Sequence, residues 1–155
     1  MVKMDATDKK LLEILQENSK TNIKTLEKEL KITKTPIYER IKNHEKSGLV
    51  KKYVAVLDRE KIPDCIVVFC SVSLESQKLE EIQAFDEAIA KIPEVIECYL
   101  MIGSNDFLLK VVVKDLKAYH QFSAGTIAAL PNIGVIQSTV VLKEMKYSTV
   151  FPIMD

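Results

Sequence analysis

The sequence predicts an α+β chain of two small domains: an N-terminal winged helix-turn-helix and a C-terminal ferredoxin-like βαββαβ domain. Three observations lead there. In the first 50 positions apolar residues recur at helical spacing in three short runs, and only a few residues separate the last two runs. From residue 65 the period changes to Val/Ile-rich runs alternating with two helical runs. The halves also carry opposite charge. Residues 1–61 hold 15 Lys/Arg against 10 Asp/Glu, and the remainder holds 7 against 12, although the net charge of the 155 residues is zero. Such a split suggests that the basic half faces nucleic acid.

The expected boundaries are 1–57 for the helix-turn-helix, 58–64 for a polar, Pro-containing linker, and 65–155 for the second domain. In the first helix Asp5 is the N-cap and Asp8 its partner at the third helical position. Leu11, Leu12, Ile14 and Leu15 form the apolar face, and the helix fades at Asn18-Ser19. Asn22 caps a second helix with Ile23, Leu26 and Leu30 in one stripe. Thr33 caps a third, Pro36 falls in its first turn at little cost, and Gly48 ends it. A strand from Leu49 to Leu57, basic at its start, is expected to be the wing.

In the second half, strands are expected at Cys65–Leu74, Val95–Ile102, Phe107–Val113 and Val135–Tyr147. Helices are expected at Lys78–Ile92 and Asp115–Leu130, stopped by Pro93 and Pro131. The order βαββαβ gives a four-stranded antiparallel sheet with both helices on one face. Val67, Phe69, Val111, Val113 and Val141 make the strands too apolar for a wet second face, so a second copy is expected to cover it.

With Ile37, Ile41 and His44 turned inward, the third helix presents Thr35, Tyr38, Glu39, Lys42, Asn43 and Lys46 outward. Thr33 and Lys34 stand at its entrance, and Lys51 and Lys52 on the wing. Lys neutralises phosphates, while Thr, Tyr and Asn reach base edges or phosphate oxygens in a major groove. From Lys31 to Lys52 there are seven Lys/Arg and two Asp/Glu. Arg40 is the exception: it points to the edge of the core face, with Glu45 or Asp58 as the expected partner. His44 reads as a satisfied core or boundary histidine, and His120 carries no signal.

Other chemistry is thinly represented. Cys65, Cys70 and Cys98 are odd in number and contain no CxxC pair, so they read as buried free thiols. No metal-ligand spacing, nucleophile triad, phosphate loop or dinucleotide motif occurs. The expectation is no catalytic residue, no metal and no cofactor. The N-terminus lacks the apolar core of a signal peptide, and no apolar run approaches the roughly 18 residues of a membrane span, so a soluble cytoplasmic protein is expected.

Several segments carry a family resemblance. Met4-Asp5-Ala6-Thr7-Asp8-Lys9-Lys10-Leu11-Leu12 opens the chain. Thr33 to Ile41, followed by Glu45-Lys46-Ser47-Gly48-Leu49-Val50, forms the recognition helix and its exit. Glu97-Cys98-Tyr99-Leu100, then Gly103 to Leu109, and Leu130-Pro131-Asn132-Ile133 complete the set. In this order and spacing the chain resembles the leucine-responsive regulatory protein/AsnC family of transcriptional regulators over nearly its whole length.

The resemblance implies a second domain of RAM type (ACT-like), dimers paired through their sheets, assembly to octamers or higher rings on double-stranded DNA, and an amino acid or related small molecule as effector. It places the effector loop at Gly103, Ser104, Asn105 and Asp106, with Leu100 beside it and Ser138 and Thr139 on the last strand. Asp106 would then accept a ligand ammonium, while Gly103 and a left-handed Asn105 shape the turn. Three positions depart from the family: Lys31 and Asn132 stand where glycine is usual, and His44 where leucine is usual.

Two other classes compete with this reading. Some haem-pathway decarboxylases share the two-part architecture, but binding an anionic tetrapyrrole needs His or Arg, and the chain after residue 61 has one His and no Arg. An interaction module without DNA binding would fail a gel shift on the gene's own upstream region.

Overall fold

The computed structural model describes residues 4–154; Met1–Lys3 and Asp155, at the ends of the expected domains, lie outside the described residues. The chain divides into two compact units, one formed by Met1–Leu57 with Met145–Asp155 and the other by Asp58–Glu144. The cut after Leu57 falls where the polar linker begins. The last residues do not stay with the second half: from Met145 on they pack with the N-terminal helices.

The first unit contains α1 (Ala6–Glu17), α2 (Ile23–Leu30) and α3 (Lys34–Lys46). Asp5 and Asp8 form a reciprocal capping box, each side chain accepting the other's backbone N–H at 2.8 and 3.0 Å. Asn22 Oδ1 accepts the Thr25 N–H at 2.9 Å. Thr33 takes the extended cap conformation but makes no side-chain cap bond. Leu11, Leu26, Leu30 and Ile37 are buried together where the three helices meet. Lys31 adopts the left-handed conformation between α2 and α3 (φ 56°, ψ 34°), so lysine does the work that glycine usually does there. Gly48 follows α3 with φ +75°, a conformation that suits glycine.

The expected wing strand is corrected. Residues 51–58 form no strand, and Tyr53, Val54, Val56 and Leu57 are exposed. A strand is defined by its ladder, and a β pattern without a neighbouring strand to pair with does not become one. Beside it runs the C-terminal tail, pinned to α1 by one side chain: Gln16 Nε2 donates to Phe151 O at 3.2 Å and the Phe151 N–H donates to Gln16 Oε1 at 2.6 Å.

The second unit contains β1 (Ile66–Leu74), α4 (Leu79–Ile89), β2 (Val95–Leu100), β3 (Phe107–Val113), α5 (Leu116–Phe122) and β4 (Ile133–Val140). All neighbours are antiparallel in the order β2-β3-β1-β4, the ferredoxin-like arrangement. Val68, Cys70, Val72, Phe107, Leu109 and Val111 form the covered face, against Phe85 and Ile89 of α4 and Tyr119 and Phe122 of α5. The Phe85 and Phe107 rings stack at 4.2 Å between centroids. Gly134 is required by closeness: a Cβ there would meet Ser73 O at 3.2 Å, where the β1–β4 register shifts.

Two elements end earlier than their sequence pattern. α5 gives way to a π turn at Ser123–Ile127, with Gly125 in the middle. β4 stops at Val140, because its pairing with β1 runs out there: Val140 faces Val68 and the Val141 N–H bonds Val67 O at 2.9 Å. The sheet's second face is mixed rather than simply apolar. Phe69, Leu108 and Val112 lie there with Ser71, Ser73 and an ion pair between Lys110 and Glu97 at 2.9 Å.

Candidate nucleic-acid interface and effector loop

Helix α3 has a held face and a free face. Ile37 is fully buried and His44 is 4% exposed. Every residue expected to meet DNA on this helix and at its entrance (Thr33, Lys34, Thr35, Tyr38, Glu39, Lys42, Asn43 and Lys46) is exposed. Lys34 Nζ lies 5.5 Å over the Tyr38 ring, a cation–π contact that leaves the ammonium at the surface. Lys51 and Lys52 are exposed as well, on an irregular segment rather than on a wing strand. A 13-residue helix with one polar, basic face fits a major groove in width and length.

The held face carries the feature that sequence reasoning missed. Arg40 does not pair with Glu45 or Asp58. Its guanidinium bridges the two carboxylates of the α1 capping box, reaching Asp8 Oδ1 at 2.7 Å and Asp5 Oδ2 at 2.8 Å. His44 Nε2 lies 3.1 Å from the same Asp8 oxygen. Burial pushes the Asp8 carboxyl up, but hydrogen bonds from Arg40, the Asp5 backbone and His44 outweigh it and hold Asp8 below its ordinary value. The hydrogen bonds to the Asp8 and Asp5 carboxylates raise Arg40. The available signal was the i, i+4 spacing of Arg40 and His44, together with a second acid in the capping box.

In the second unit the β2–β3 connection is closed by the Met101 N–H bonding Asp106 O at 2.8 Å. Asp106 is committed to its own chain. Its Oδ2 accepts the Leu74 N–H and its Oδ1 the Gln77 amide, both at 2.7 Å, and its own N–H bonds Val72 O at 3.0 Å. Asn105 accepts from Ser73 Oγ at 3.2 Å. The carboxylate therefore fastens the end of β1 to the loop, with one hydrogen bond accepted by each oxygen. Neither Gly103 nor Asn105 has positive φ, so the turn does not use the freedom expected of them. Leu100, Gly103 and Ser104 are exposed, and so is Ile102 at the tip.

The remaining effector candidates are not gathered beside this loop. Leu100 lies on β2, one edge of the sheet, and Ser138 and Thr139 on β4, the other edge, about 14 Å away at the usual strand spacing. Ser138 opposes Cys70 on the helix-covered face and shares a hydrogen bond with the Tyr119 hydroxyl. Thr139 opposes Phe69 and points to the other face. Gln77 and Ser73, which hold the loop, had no signal in the sequence. Among the described residues no group of three or more His, Cys, Asp or Glu is arranged to hold a metal, and no helix is long and apolar enough to cross a membrane.

Comparison with known proteins adds two family matches. Residues 4–43 match the AsnC-type helix-turn-helix domain, and residues 67–151 match the Lrp/AsnC ligand binding domain. Among curated relatives, the Bkd operon transcriptional regulator of Pseudomonas aeruginosa is 33% identical over 153 residues, covering 99% of this chain and 100% of that one. The leucine-responsive regulatory protein of Haemophilus influenzae is 34% identical over 143 residues, covering 92% and 86%. Among solved structures, a transcriptional regulator from Neisseria meningitidis in complex with L-Met superposes with a TM-score of 0.88 at 31% identity, over 97% of each chain. An AsnC family regulator from Agrobacterium tumefaciens gives a TM-score of 0.88 at 37% identity, over 96% of this chain and 97% of that one.

Proposed function

Since the chain belongs to the Lrp/AsnC family of transcriptional regulators, we propose that α3 is its recognition helix, that it acts as a homo-oligomer in the cytoplasm, and that it binds an amino acid or related small molecule at the β2–β3 loop without catalysing a reaction. The observation that carries the DNA assignment is the division of α3. One face is buried and ion-paired, and the other exposes every side chain suited to phosphates and base edges. Lys34, Lys42 and Lys46 contact phosphates. Thr35, Tyr38 and Asn43 reach base edges.

The oligomer reading rests on the sheet. The Leu100 and Ser138/Thr139 positions lie on opposite edges, so one chain cannot close a site with both. A cleft between two copies joins them, and the loop of one copy then meets β4 of another. The bound L-Met of the Neisseria relative makes an apolar amino acid the first ligand to try.

Fluorescence anisotropy tests the DNA reading, with a duplex from the gene's own upstream region against an unrelated duplex of equal length. Preference for the first, weakening steeply with salt, supports it. Equal binding to both refutes it. Thermal shift against the twenty amino acids tests the effector reading, because a ligand that binds only the folded state raises Tm.

A further inference from the structure

We propose that Arg40 and His44 are positioning residues that set the roll of α3 against the start of α1, so that base discrimination depends on them while phosphate attraction does not. This rests on α3 being the recognition helix. The two side chains lie one helical turn apart on the held face and converge on one buried oxygen, Asp8 Oδ1, at 2.7 and 3.1 Å. Asp8 is only 8% exposed. It is itself fixed, because its second oxygen accepts the Asp5 N–H. Arg40 also grips Asp5 Oδ2, so its planar fork spans both acids of the cap. The α1 capping box thus serves as a docking plate for α3 as well as a helix terminus.

Geometry decides what this plate controls. A helix with side chains is about 10–12 Å across, so a roll of roughly 10° moves the tips by about 1 Å. Hydrogen bonds to base edges work within about 2.7–3.2 Å and do not survive such a shift. Attraction of lysines to phosphates decays over a Debye length of about 10 Å at 0.1 M salt and barely registers it. Loosening the plate therefore lowers specific binding and leaves non-specific binding nearly intact. A phosphate contact made by Arg40 itself would do the opposite and lower both. Hydrophobic packing of Ile37 remains in either case, so the helix stays docked but less exactingly placed.

The test uses the full chain, with Arg40→Lys and His44→Gln as variants and Lys42→Ala as the phosphate control. Arg40→Lys keeps the charge and loses the two-acid grip. Affinities are measured on the upstream duplex and on an unrelated duplex of equal length, with the Tm of each variant taken alongside. Both positioning variants are expected to lower the specific-to-non-specific ratio by about tenfold, with non-specific affinity and its salt slope unchanged. Lys42→Ala should lower both affinities and flatten the slope. A preserved ratio in both variants, or a flattened slope in Arg40→Lys, overturns the proposal.

A second readout is independent of DNA. Nitrogen-resolved NMR of the folded protein is expected to show the His44 ring protonated at Nε2, with that proton exchanging slowly against the Asp8 carboxylate. A ring protonated only at Nδ1, or exchanging freely with solvent, overturns the network. If the wild-type protein fails to distinguish the two duplexes, the recognition-helix reading falls, and the ring spectrum still shows whether the docking plate exists.

Discussion

Asp8 shows how one residue can tie two elements together through three contacts. It closes the α1 cap, anchors Arg40 and accepts from His44. Its carboxyl is held below the ordinary 3.8, so the folded state favours the ionised form. Such a group contributes stability that is fully present above its unfolded pKa and is lost as pH falls through the lower folded value. The network should therefore weaken only below about pH 4, and Asp8→Asn should be destabilised at pH 7 by about 1.5–3 kcal/mol, the range for hydrogen bonds to charged groups. Acid titration followed by circular dichroism checks this: the gap between wild type and variant should narrow as pH drops below 4. A constant gap contradicts the account.

Asn132 makes a second residue-scale case. It stands in place of a glycine at φ 62°, and its side chain bonds both the N–H and the C=O of Ser76, at 3.0 and 2.8 Å. Asparagine tolerates the left-handed region and supplies two bonds that glycine lacks. Asn132→Ala should cost about 2–3 kcal/mol, from two lost hydrogen bonds and added backbone strain. Gly103→Ala should cost less than about 0.5 kcal/mol, because its φ is not positive and nothing lies within 4 Å of the added methyl. Urea unfolding ranks the two variants, and the reverse order would contradict this reading of the turns. The sequence identified Asn132 as a departure, but its partner Ser76 lies 56 positions away and left no local trace.

At the scale of elements, what was legible followed local rules. The helix starts at Asp5 and Asn22, the left-handed Lys31 and the apolar stripes all depend on neighbours within a few residues. What was not legible depended on distant partners. Leu49–Leu57 has strand composition but no strand paired with it, so it forms no strand. β4 stops at Val140, where its ladder with β1 reaches Val68, not where its own β pattern ends. The tail is the clearest example, because nothing in Tyr147–Ile153 announces that Gln16 will hold both the N–H and the C=O of Phe151. Gln16→Ala should free the tail without unfolding α1. Hydrogen exchange should then rise at Phe151 while the α1 amides stay protected. Unchanged protection at Phe151 would contradict Gln16 as the residue that holds it.

The whole molecule is two units with different relations to their surroundings. The first offers a basic helix face, complete within one chain, and this half of the candidate site was readable from helical periodicity. The second offers a covered sheet face, a mixed open face and effector candidates on opposite edges. Sequence position could not show that Ser138 and Thr139 point to different faces, because alternation along β4 has meaning only once its register with β1 is known. A site that needs two copies accounts for the separation of these residues, and light scattering at micromolar concentration should give at least a dimer.

The central claim is that α3 is the DNA-reading element, and the salt dependence of affinity for the upstream duplex tests it most directly. Wild type should give a steep negative slope of log affinity against log salt. Lys42→Ala and Lys46→Ala should each flatten it by about one unit, since each removes one phosphate contact. An affinity insensitive to salt, or a slope unchanged in both variants, would contradict the account.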